Sequence, residues 1–183
     1  MNNKRIFCGS FIRHNELDEI WEQARYYLDE TGRFKWTRTA ANLHITFHFF
    51  GDTEADKIEK IKNILVDVLD KRFEIPIQIT GLDFFKRRNK PAVLYAVVND
   101  KTGKLSKLYL DIQQSLFNEK LIEKINRRFV PHITFARIKS VSNDFYDELE
   151  VFNNQWNIID IPEIKPQLIE SVLLPKGALY KAL

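Results

Sequence analysis

Apolar and polar residues alternate with a period of two in several short stretches of this chain, and recur at helical spacing in three longer ones. The first pattern predicts half-buried strands, and the second predicts amphipathic helices. Strands are therefore predicted at Arg5–Phe11, Leu43–Phe50, Ile75–Leu82, Ala92–Val98 and Val130–Ile138, with further extended segments at Trp156–Ile161, Gln167–Leu174 and Leu179–Leu183. Helices are predicted at Glu16–Glu30, Glu54–Leu69 and Thr102–Leu116.

The segments between these elements carry weaker patterns. Asn15 and Thr53 are predicted N-caps for the first two helices. Trp36–Asn42 is interpreted as a polar approach to the next strand, Leu121–Arg128 as a partly helical connection, and Asp144–Asn153 is too weakly patterned to assign. The order of elements predicts an α+β fold in which antiparallel sheets are backed by helices.

The most distinctive pattern occurs twice, as Leu43-His44-Ile45-Thr46-Phe47 and as Pro131-His132-Ile133-Thr134-Phe135. On a strand, the His and Thr of each copy project from one face while the Ile and Phe bury the other. One copy alone is typical of a core strand with a hydrogen-bonded histidine. Two copies favour a site, because adjacent strands would bring two imidazoles and two hydroxyls to one cleft.

Such a cleft is suited to acid/base chemistry on an anionic centre. The unperturbed pKa of histidine lies near 6.5, so one imidazole can be neutral while its partner is protonated. Such a pair can take a proton from an attacking oxygen and give one to a leaving oxygen, while threonine hydroxyls donate to phosphate oxygens. The residues alone leave open which histidine is the acid and which is the base.

Composition narrows the class of protein. The chain has 183 residues and a mass of 21.7 kDa, which predicts one compact domain or two small, closely packed lobes. It lacks an 18-residue apolar run, a secretory signal pattern and any cysteine besides Cys8, which together predict a cytoplasmic protein outside the membrane. It has no Cys₄ or His₃ constellation, which favours a metal-free mechanism. The net charge of +3 is compatible with a polyanionic partner.

With its two motifs in place, the chain resembles the 2H (two-histidine) phosphoesterase superfamily. It is most similar to the branch of RNA 2′,3′-cyclic phosphodiesterases, also called 2′-5′ RNA ligases or the LigT/ThpR family. The resemblance spans nearly the whole chain. The matching stretches are Arg5–Phe7, Asn42–Gly51, Gly81–Phe85, Phe129–Arg137, Ser171 and Gly177–Leu183.

This resemblance implies a bilobal, pseudo-two-fold α+β domain over residues 1–183, with antiparallel sheets lining a central cleft and helices packed outside. It also implies metal-independent hydrolysis of RNA 2′,3′-cyclic phosphate ends to 2′-phosphates, with reverse 2′-5′ ligation as a further activity. No metal or nucleotide cofactor is implied. The expected partners are RNA ends or nucleotide cyclic phosphates, and the expected state is a monomer without an obligate protein partner.

The resemblance also implies a role for each site residue. His132 would be the general base that activates water, and His44 the general acid that protonates the departing 3′-oxygen. Thr46 and Thr134 would bind phosphate oxygens, and Arg137 would contact the phosphate. Simple alternation places Arg137 on the opposite face from His132, so its role requires the strand to end or to bulge there.

Several other residues have two interpretations. His48 is expected on the same face as His44, where it is either solvated or in contact with a more distant RNA phosphate. The basic run Lys86–Lys90 is either a solvated hairpin loop or a contact for a phosphate backbone. Trp36 and Phe49 either stack on a base or are buried. His14 is interpreted as structural or exposed.

Two alternative functions stay open at this point. In the first, the same residues act on a small cyclic nucleotide, on ADP-ribose cyclic phosphate or on 2′-5′ oligoadenylate. In the second, the protein is a non-catalytic RNA-binding module whose His and Thr side chains only hold phosphate.

Overall fold

The computed structural model describes residues 3–125, 128–175 and 177–183, and within these ranges the chain forms nine strands, four α-helices and two short 3₁₀ helices, Asp29–Thr31 and Ala40–Asn42. The strands are Lys4–Phe11 (β1), Gly32–Trp36 (β2), His44–Thr53 (β3), Ile77–Arg87 (β4), Lys90–Asn99 (β5), His132–Val141 (β6), Ile159–Ile161 (β7), Gln167–Leu174 (β8) and Gly177–Ala182 (β9). The helices are Asn15–Leu28 (α1), Ala55–Ile64 (α2), Lys104–Asn118 (α3) and Asp144–Asn154 (α4).

The strands pair in the order β7-β4-β5-β6-β3-β1-β8-β9, with β2 added beside β6, and every pairing is antiparallel. Two arms can be distinguished. The first arm contains β3, β1, β8 and β9, and the second contains β6, β5, β4 and β7 together with β2. The arms join between the two motif strands through one residue pair, Ile45 with Ile133. The predicted α+β fold with antiparallel strands is confirmed.

The helices bury the apolar stripes that their sequences predict. In α1 the buried residues are Leu17, Trp21, Ala24 and Leu28, which lie three or four positions apart along one face. This helix packs against α4, while α2 packs against α3 and α3 also contacts β3. None of the helices in the described ranges is long and apolar enough to cross a membrane.

Each motif strand contains a β-bulge at the same position of its motif. In β3 the extra residue is Phe47, because the residues on either side of it pair with consecutive residues of β1. In β6 the extra residue is Phe135, whose neighbours pair with consecutive residues of β5. A bulge changes the faces of the residues that follow it, relative to simple alternation. The two halves of the sheet therefore share this irregularity as well as their sequence motif.

Two elements were missed from the sequence. The helix α4 buries only Phe145 and Leu149 fully, which explains its weak helical pattern. The strand β2 lies between the predicted first helix, Glu16–Glu30, and the predicted polar approach, Trp36–Asn42, and shares only Trp36 with the latter. Its exposed Arg33 and Lys35 alternate with the half-buried Phe34 and Trp36, which pack against the core, so the sequence does carry a period of two there, but over only five residues.

The predicted caps and the length of the second helix are wrong. Asn15 lies inside α1, whose N-cap is His14, and the N-cap of α2 is Glu54. Thr53 ends β3, where its hydroxyl donates to the carbonyl of Gly51. The chain after α2 continues in turns up to Asp70, so the helical spacing of apolar residues there reflects turns rather than a longer helix.

The strand boundaries also shift. The predicted strand Ile75–Leu82 is part of a longer strand, β4, which runs through a bulge at Gly81 and ends at Arg87. In the predicted segment Trp156–Ile161 only the last three residues pair as a strand. Within Leu121–Arg128, residues 121–124 form bends rather than a helix, and residues 126 and 127 lie outside the described ranges.

The bulge in β4 is held by a side chain of α4. Asn153 accepts a hydrogen bond from the Leu82 backbone N–H at 2.7 Å and donates one to the Leu82 carbonyl at 2.9 Å. Gly81 has a φ of +148°, and a Cβ at this position would approach Asn153 Oδ1 to 3.1 Å. The amide of Asn153 thus satisfies backbone groups that the irregular ladder exposes.

We expect Asn153→Ala to lower the free energy of unfolding by about 1–3 kcal/mol, because it leaves both backbone groups of the buried Leu82 without this partner. Chemical denaturation measures the loss. The matched control is Asn154→Ala, since Asn154 is the exposed next residue of the same helix. Equal stability of the two variants would contradict this role.

Candidate active site

A cavity of about 310 Å³ lies between the two arms, which is within the usual size range of small-ligand sites. Residues of both motif strands line it, together with residues from β2, β4, β5 and the β8–β9 hairpin. The lining comprises Lys35, Trp36, Thr37, Arg38, Asn42, His44, Phe85, Val93, His132, Thr134, Ala136, Arg137, Leu173, Gly177, Ala178 and Tyr180. A larger depression between α2 and α3 contains none of the predicted site residues.

Four of the five predicted site residues lie around this cavity. His44 and His132 are the first residues of β3 and β6, and Thr134 and Arg137 follow on β6. Thr46 shares a face of β3 with His44, since both precede the bulge and both are half-buried. It is not among the residues that line the cavity.

The bulge at Phe135 explains how Arg137 reaches the cavity. His132, Thr134 and Arg137 pair with Val97, Tyr95 and Val93, which are alternate residues of β5 and therefore lie on one face. Without the extra residue, Arg137 would point to the opposite side of the sheet. The structure thus contains the bulge that the role of this arginine requires.

The equivalent bulge at Phe47 moves His48 away from the cavity. His48 pairs with Cys8, a core residue on the opposite face of β1 from the partners of His44 and Thr46. Its Nδ1 lies 3.1 Å from the Nε2 of Gln113, on α3. The prediction that His48 shares a face with His44 is therefore wrong, and its position favours neither a phosphate contact nor a fully solvated side chain.

Each motif histidine is fixed by a carbonyl of its own chain. His44 Nδ1 lies 2.7 Å from the carbonyl oxygen of Asn42, and His132 Nδ1 lies 2.8 Å from that of Val130. Because a carbonyl only accepts, Nδ1 carries the proton in both rings. The neutral rings therefore keep Nε2 free to accept a proton, and the protonated rings can donate from the same atom.

Aromatic side chains lie against both imidazoles. Two of them belong to the first arm and two to the second, so the pseudo-symmetry extends beyond the motifs. They limit ring rotation and reduce contact with water. The ring centroids are separated by 4.8 Å for Phe7 and His44, 4.9 Å for Tyr180 and His44, 4.9 Å for Phe85 and His132, and 5.4 Å for Tyr95 and His132.

Burial lowers the pKa of both histidines. The pKa of His44 falls to about 4, mainly because burial disfavours the imidazolium. The hydrogen bond to Asn42 partly offsets this by raising the pKa, and the nearby His132 lowers it slightly further. Burial also lowers the pKa of His132, against its bond to Val130. Both rings are thus neutral at pH 7 in the free protein, and a bound anion would favour protonation.

The cavity is also lined by residues that the sequence did not single out. Lys35 and Arg38 add two cations to Arg137, and the part of the lining within the described ranges contains no Asp or Glu. Asn42 donates from Nδ2 to the carbonyl of Ala178 at 2.9 Å, which ties the β8–β9 hairpin to the first motif. Only Asn42, which precedes a motif histidine closely, had a local signal in the sequence.

The structure also gives the positions of the residues for which the sequence left two interpretations. Trp36 lines the cavity, and its Nε1 donates to Asp29 at 2.8 Å. Phe49 is 49% exposed, with the guanidinium of Arg5 4.7 Å above its ring, so the interpretation as a buried aromatic is wrong. The run Lys86–Lys90 forms the exposed tip of the β4–β5 hairpin, as expected. His14 is the N-cap residue of α1, away from the lining of the cavity.

Other kinds of site have little support in the part of the chain that the structure describes. It contains no group of three or more His, Cys, Asp or Glu side chains that could hold a metal ion. Burial raises the pKa of the Cys8 thiol to about 12, so this side chain stays protonated and is a poor nucleophile at neutral pH.

Residues 15–95 match the sequence profile of the LigT-like phosphoesterases. The chain is 32% identical over 180 residues to the RNA 2′,3′-cyclic phosphodiesterase of Aquifex aeolicus strain VF5, covering 96% of this chain and 93% of that protein. The chain belongs to the LigT-like phosphoesterase family. The RNA 2′,3′-cyclic phosphodiesterase of Methanothermobacter thermautotrophicus strain Delta H is 34% identical over 146 residues, which cover 76% of this chain and 74% of that one.

Solved structures agree with this family at the level of the fold. A Thermus thermophilus protein superimposes with a TM-score of 0.66 at 21% identity, covering 98% of this chain and 94% of its own. Escherichia coli LigT complexed with 3′-AMP gives a TM-score of 0.62 at 18% identity, covering 100% and 96% of the two chains. The profile match and the relative of 32% identity confirm the family that the two motifs resemble, and the solved structures confirm its fold.

We expect the imidazole of His44 to titrate near pH 4 in the free protein and at a higher pH when inorganic phosphate is bound. In the unfolded chain His44 has its ordinary pKa of 6.5, so between pH 6.5 and about 4 the unfolded chain binds more protons than the folded one. The contribution of His44 to stability therefore falls as the pH drops through this range. NMR titration of its ring protons measures the first effect.

Denaturation of the wild type and of His44→Gln measures the second effect, because the variant should lose less stability between pH 6.5 and 4. A midpoint near 6.5 for His44 in the phosphate-free protein would contradict the role of burial.

Proposed function

We propose that this protein hydrolyses the 2′,3′-cyclic phosphate at an RNA 3′ end to a 2′-phosphate. The observation that carries the proposal is a pair of histidines with free Nε2 atoms, His44 and His132, on one cavity lined by cations. A cyclic phosphodiester is a monoanion, which such a cavity attracts. Support also comes from the family relatives that are named RNA 2′,3′-cyclic phosphodiesterases.

The reaction requires one proton to be removed and one to be delivered. His132 Nε2 takes a proton from water as the water oxygen bonds to phosphorus, and His44 Nε2 gives a proton to the 3′-oxygen as its bond to phosphorus breaks. The products are a 3′-hydroxyl and a 2′-phosphate, and the two histidines have exchanged protonation states. The anionic substrate favours the protonated form of His44, which burial disfavours in the free protein.

The remaining site residues hold the phosphate. The hydroxyl of Thr134 and the guanidinium of Arg137 stabilise the non-bridging oxygens, on which charge develops in the transition state. Thr46 has the equivalent place in the first motif and serves the same group from the other arm. No step in this mechanism uses a metal or a nucleotide cofactor. With the 5′-hydroxyl of a second RNA in place of water, the same groups would form a 2′-5′ linkage.

We also infer that residues 1–183 form one domain of two closely packed lobes. Most of the buried apolar residues form one continuous cluster that includes residues of both arms, which supports this inference. We further propose that the protein acts in the cytoplasm, as a monomer without an obligate protein partner. Its single cysteine is free and buried, which suits a reducing compartment.

We expect His44→Ala and His132→Ala each to lower kcat by about 10²–10⁴-fold, because each removes one proton transfer. Binding of the RNA should be largely retained. The measurement is hydrolysis of an oligoribonucleotide that ends in a 2′,3′-cyclic phosphate, in EDTA, with identification of the product's phosphate position. His48→Ala is the matched control and should keep its activity, since His48 lies on the opposite face of β3.

The outcomes separate the alternatives. A 2′-phosphate product that is lost in both variants supports the proposal. Loss of RNA affinity in both variants, without turnover by the wild type, would indicate a non-catalytic RNA-binding module. Turnover confined to a small cyclic nucleotide or to 2′-5′ oligoadenylate would indicate a different substrate class.

A further inference from the structure

A row of side chains crosses four strands of the second arm at the edge of the cavity. Phe85 pairs with Val93, Val93 with Arg137, and Arg137 with Lys35. Residues paired directly across an antiparallel sheet project from the same face. All four also line the cavity, so this face of β4, β5, β6 and β2 is the one that faces the two histidines.

Basic residues extend this face away from the histidines. The strands β4 and β6 run in one direction, and β5 and β2 run in the opposite direction. One end of the sheet is therefore formed by the residues that follow Phe85 and Arg137. The residues that precede Val93 and Lys35 lie at the same end. Besides Lys86 and Arg88 of the β4–β5 hairpin, this end carries four exposed cations, which we call the basic track. They are Arg33 on β2, Lys139 as the extra residue of a bulge in β6 beside Arg33, and Arg87 and Lys90, which pair with each other at the β4–β5 hairpin.

The charges of the basic track are not neutralised within the described part of the chain. None of the ion pairs found among residues 3–125, 128–175 and 177–183 includes a member of the track. By contrast, Lys62 and Lys107 of the helices form ion pairs with acidic residues one turn away. The cations of the track are therefore available to an external anion.

We propose that the RNA strand leading to the cyclic phosphate lies along the basic track. This inference rests on the proposed function. A 2′,3′-cyclic phosphate closes the 3′ end of an RNA, so the chain can leave the cavity only in its 5′ direction. Same-face residues on a strand are about 7 Å apart, a step that suits successive phosphates of an extended single strand. The protein then prefers oligonucleotides to mononucleotides because of contacts outside the reacting group.

The first arm is a weaker path for the strand. Its concave face offers Arg5, whose guanidinium is already stacked on Phe49. The neighbouring Lys4 is paired with Glu170 at 3.0 Å. The first arm thus has fewer free cations beside the cavity than the second, and charge complementarity favours the second.

The test measures how one combined variant changes kcat/KM, relative to the wild type, for each of two substrates. Arg33→Gln, Arg87→Gln, Lys90→Gln and Lys139→Gln are combined in one chain. For a ten-nucleotide RNA ending in a 2′,3′-cyclic phosphate we expect kcat/KM at low salt to fall on the order of 10- to 100-fold, and its salt dependence to weaken by about 0.7 in log–log slope per lost contact. For 2′,3′-cyclic AMP we expect a change of less than about twofold.

A control variant carries the same change in net charge elsewhere. It combines Lys57→Gln, Lys101→Gln, Lys104→Gln and Lys124→Gln, which replace exposed lysines on and beside α2 and α3. It should retain kcat/KM for both substrates. Thermal unfolding of both variants checks that each is folded.

Every outcome bears on the inference. A loss confined to the RNA substrate and to the track variant supports it. Equal losses for RNA and cyclic AMP, equal losses in both variants, or a wild type with no preference for RNA would overturn it. An RNA-specific loss in Arg5→Gln with Phe49→Ala, without one in the track variant, would assign the path to the first arm. A wild type that hydrolyses neither substrate would instead overturn the proposed function.

Discussion

The pairing of Ile45 with Ile133 is the contact on which the arrangement of the site depends. Both residues are fully buried, and theirs is the pair through which the two arms of the sheet join. In an antiparallel register, the residue before one isoleucine faces the residue after the other. His44 therefore lies across from Thr134, and His132 across from Thr46. Because the ladder between these strands is so short, the arms separate around it and leave room for the cavity.

The two bulges change the face of the sheet from which the residues after each motif project. A regular strand presents every second residue, so the fifth residue after a motif histidine would project from the other face. The extra residues Phe47 and Phe135 reverse this, and both are buried in the core, where they hold the bulges in place. The same irregularity thus brings Arg137 into the cavity and directs His48 toward α3. Its effect on function depends on which residue follows each motif.

The sequence predicted the features that depend on local pattern. The period of two identified both motif strands, and the repeated His and Thr identified the two faces that meet at the cavity. The bulges were not predictable in this way, because they arise from pairing with β1 and β5 rather than from the motif strands themselves. Lys35 and Tyr180 were missed for a similar reason. They reach the site from β2 and β9, which have no motif of their own and whose places in the sheet are set by pairing with β6 and β8.

Charge breaks the pseudo-symmetry that the fold establishes. The fifth residue after His132 is Arg137, whereas the fifth residue after His44 is Phe49, and the two occupy equivalent places on their strands after the bulges. The cations of β2 and β6 increase this difference in charge, because both strands belong to the second arm. A polyanion that enters the cavity therefore meets more positive charge beside one histidine than beside the other. Such a difference is what a two-histidine mechanism requires, since one imidazole must meet the attacking water and the other must meet the departing oxygen. In the proposed mechanism the histidines would supply the chemistry, and the unequal arms around them would set which histidine meets the water and which meets the departing oxygen.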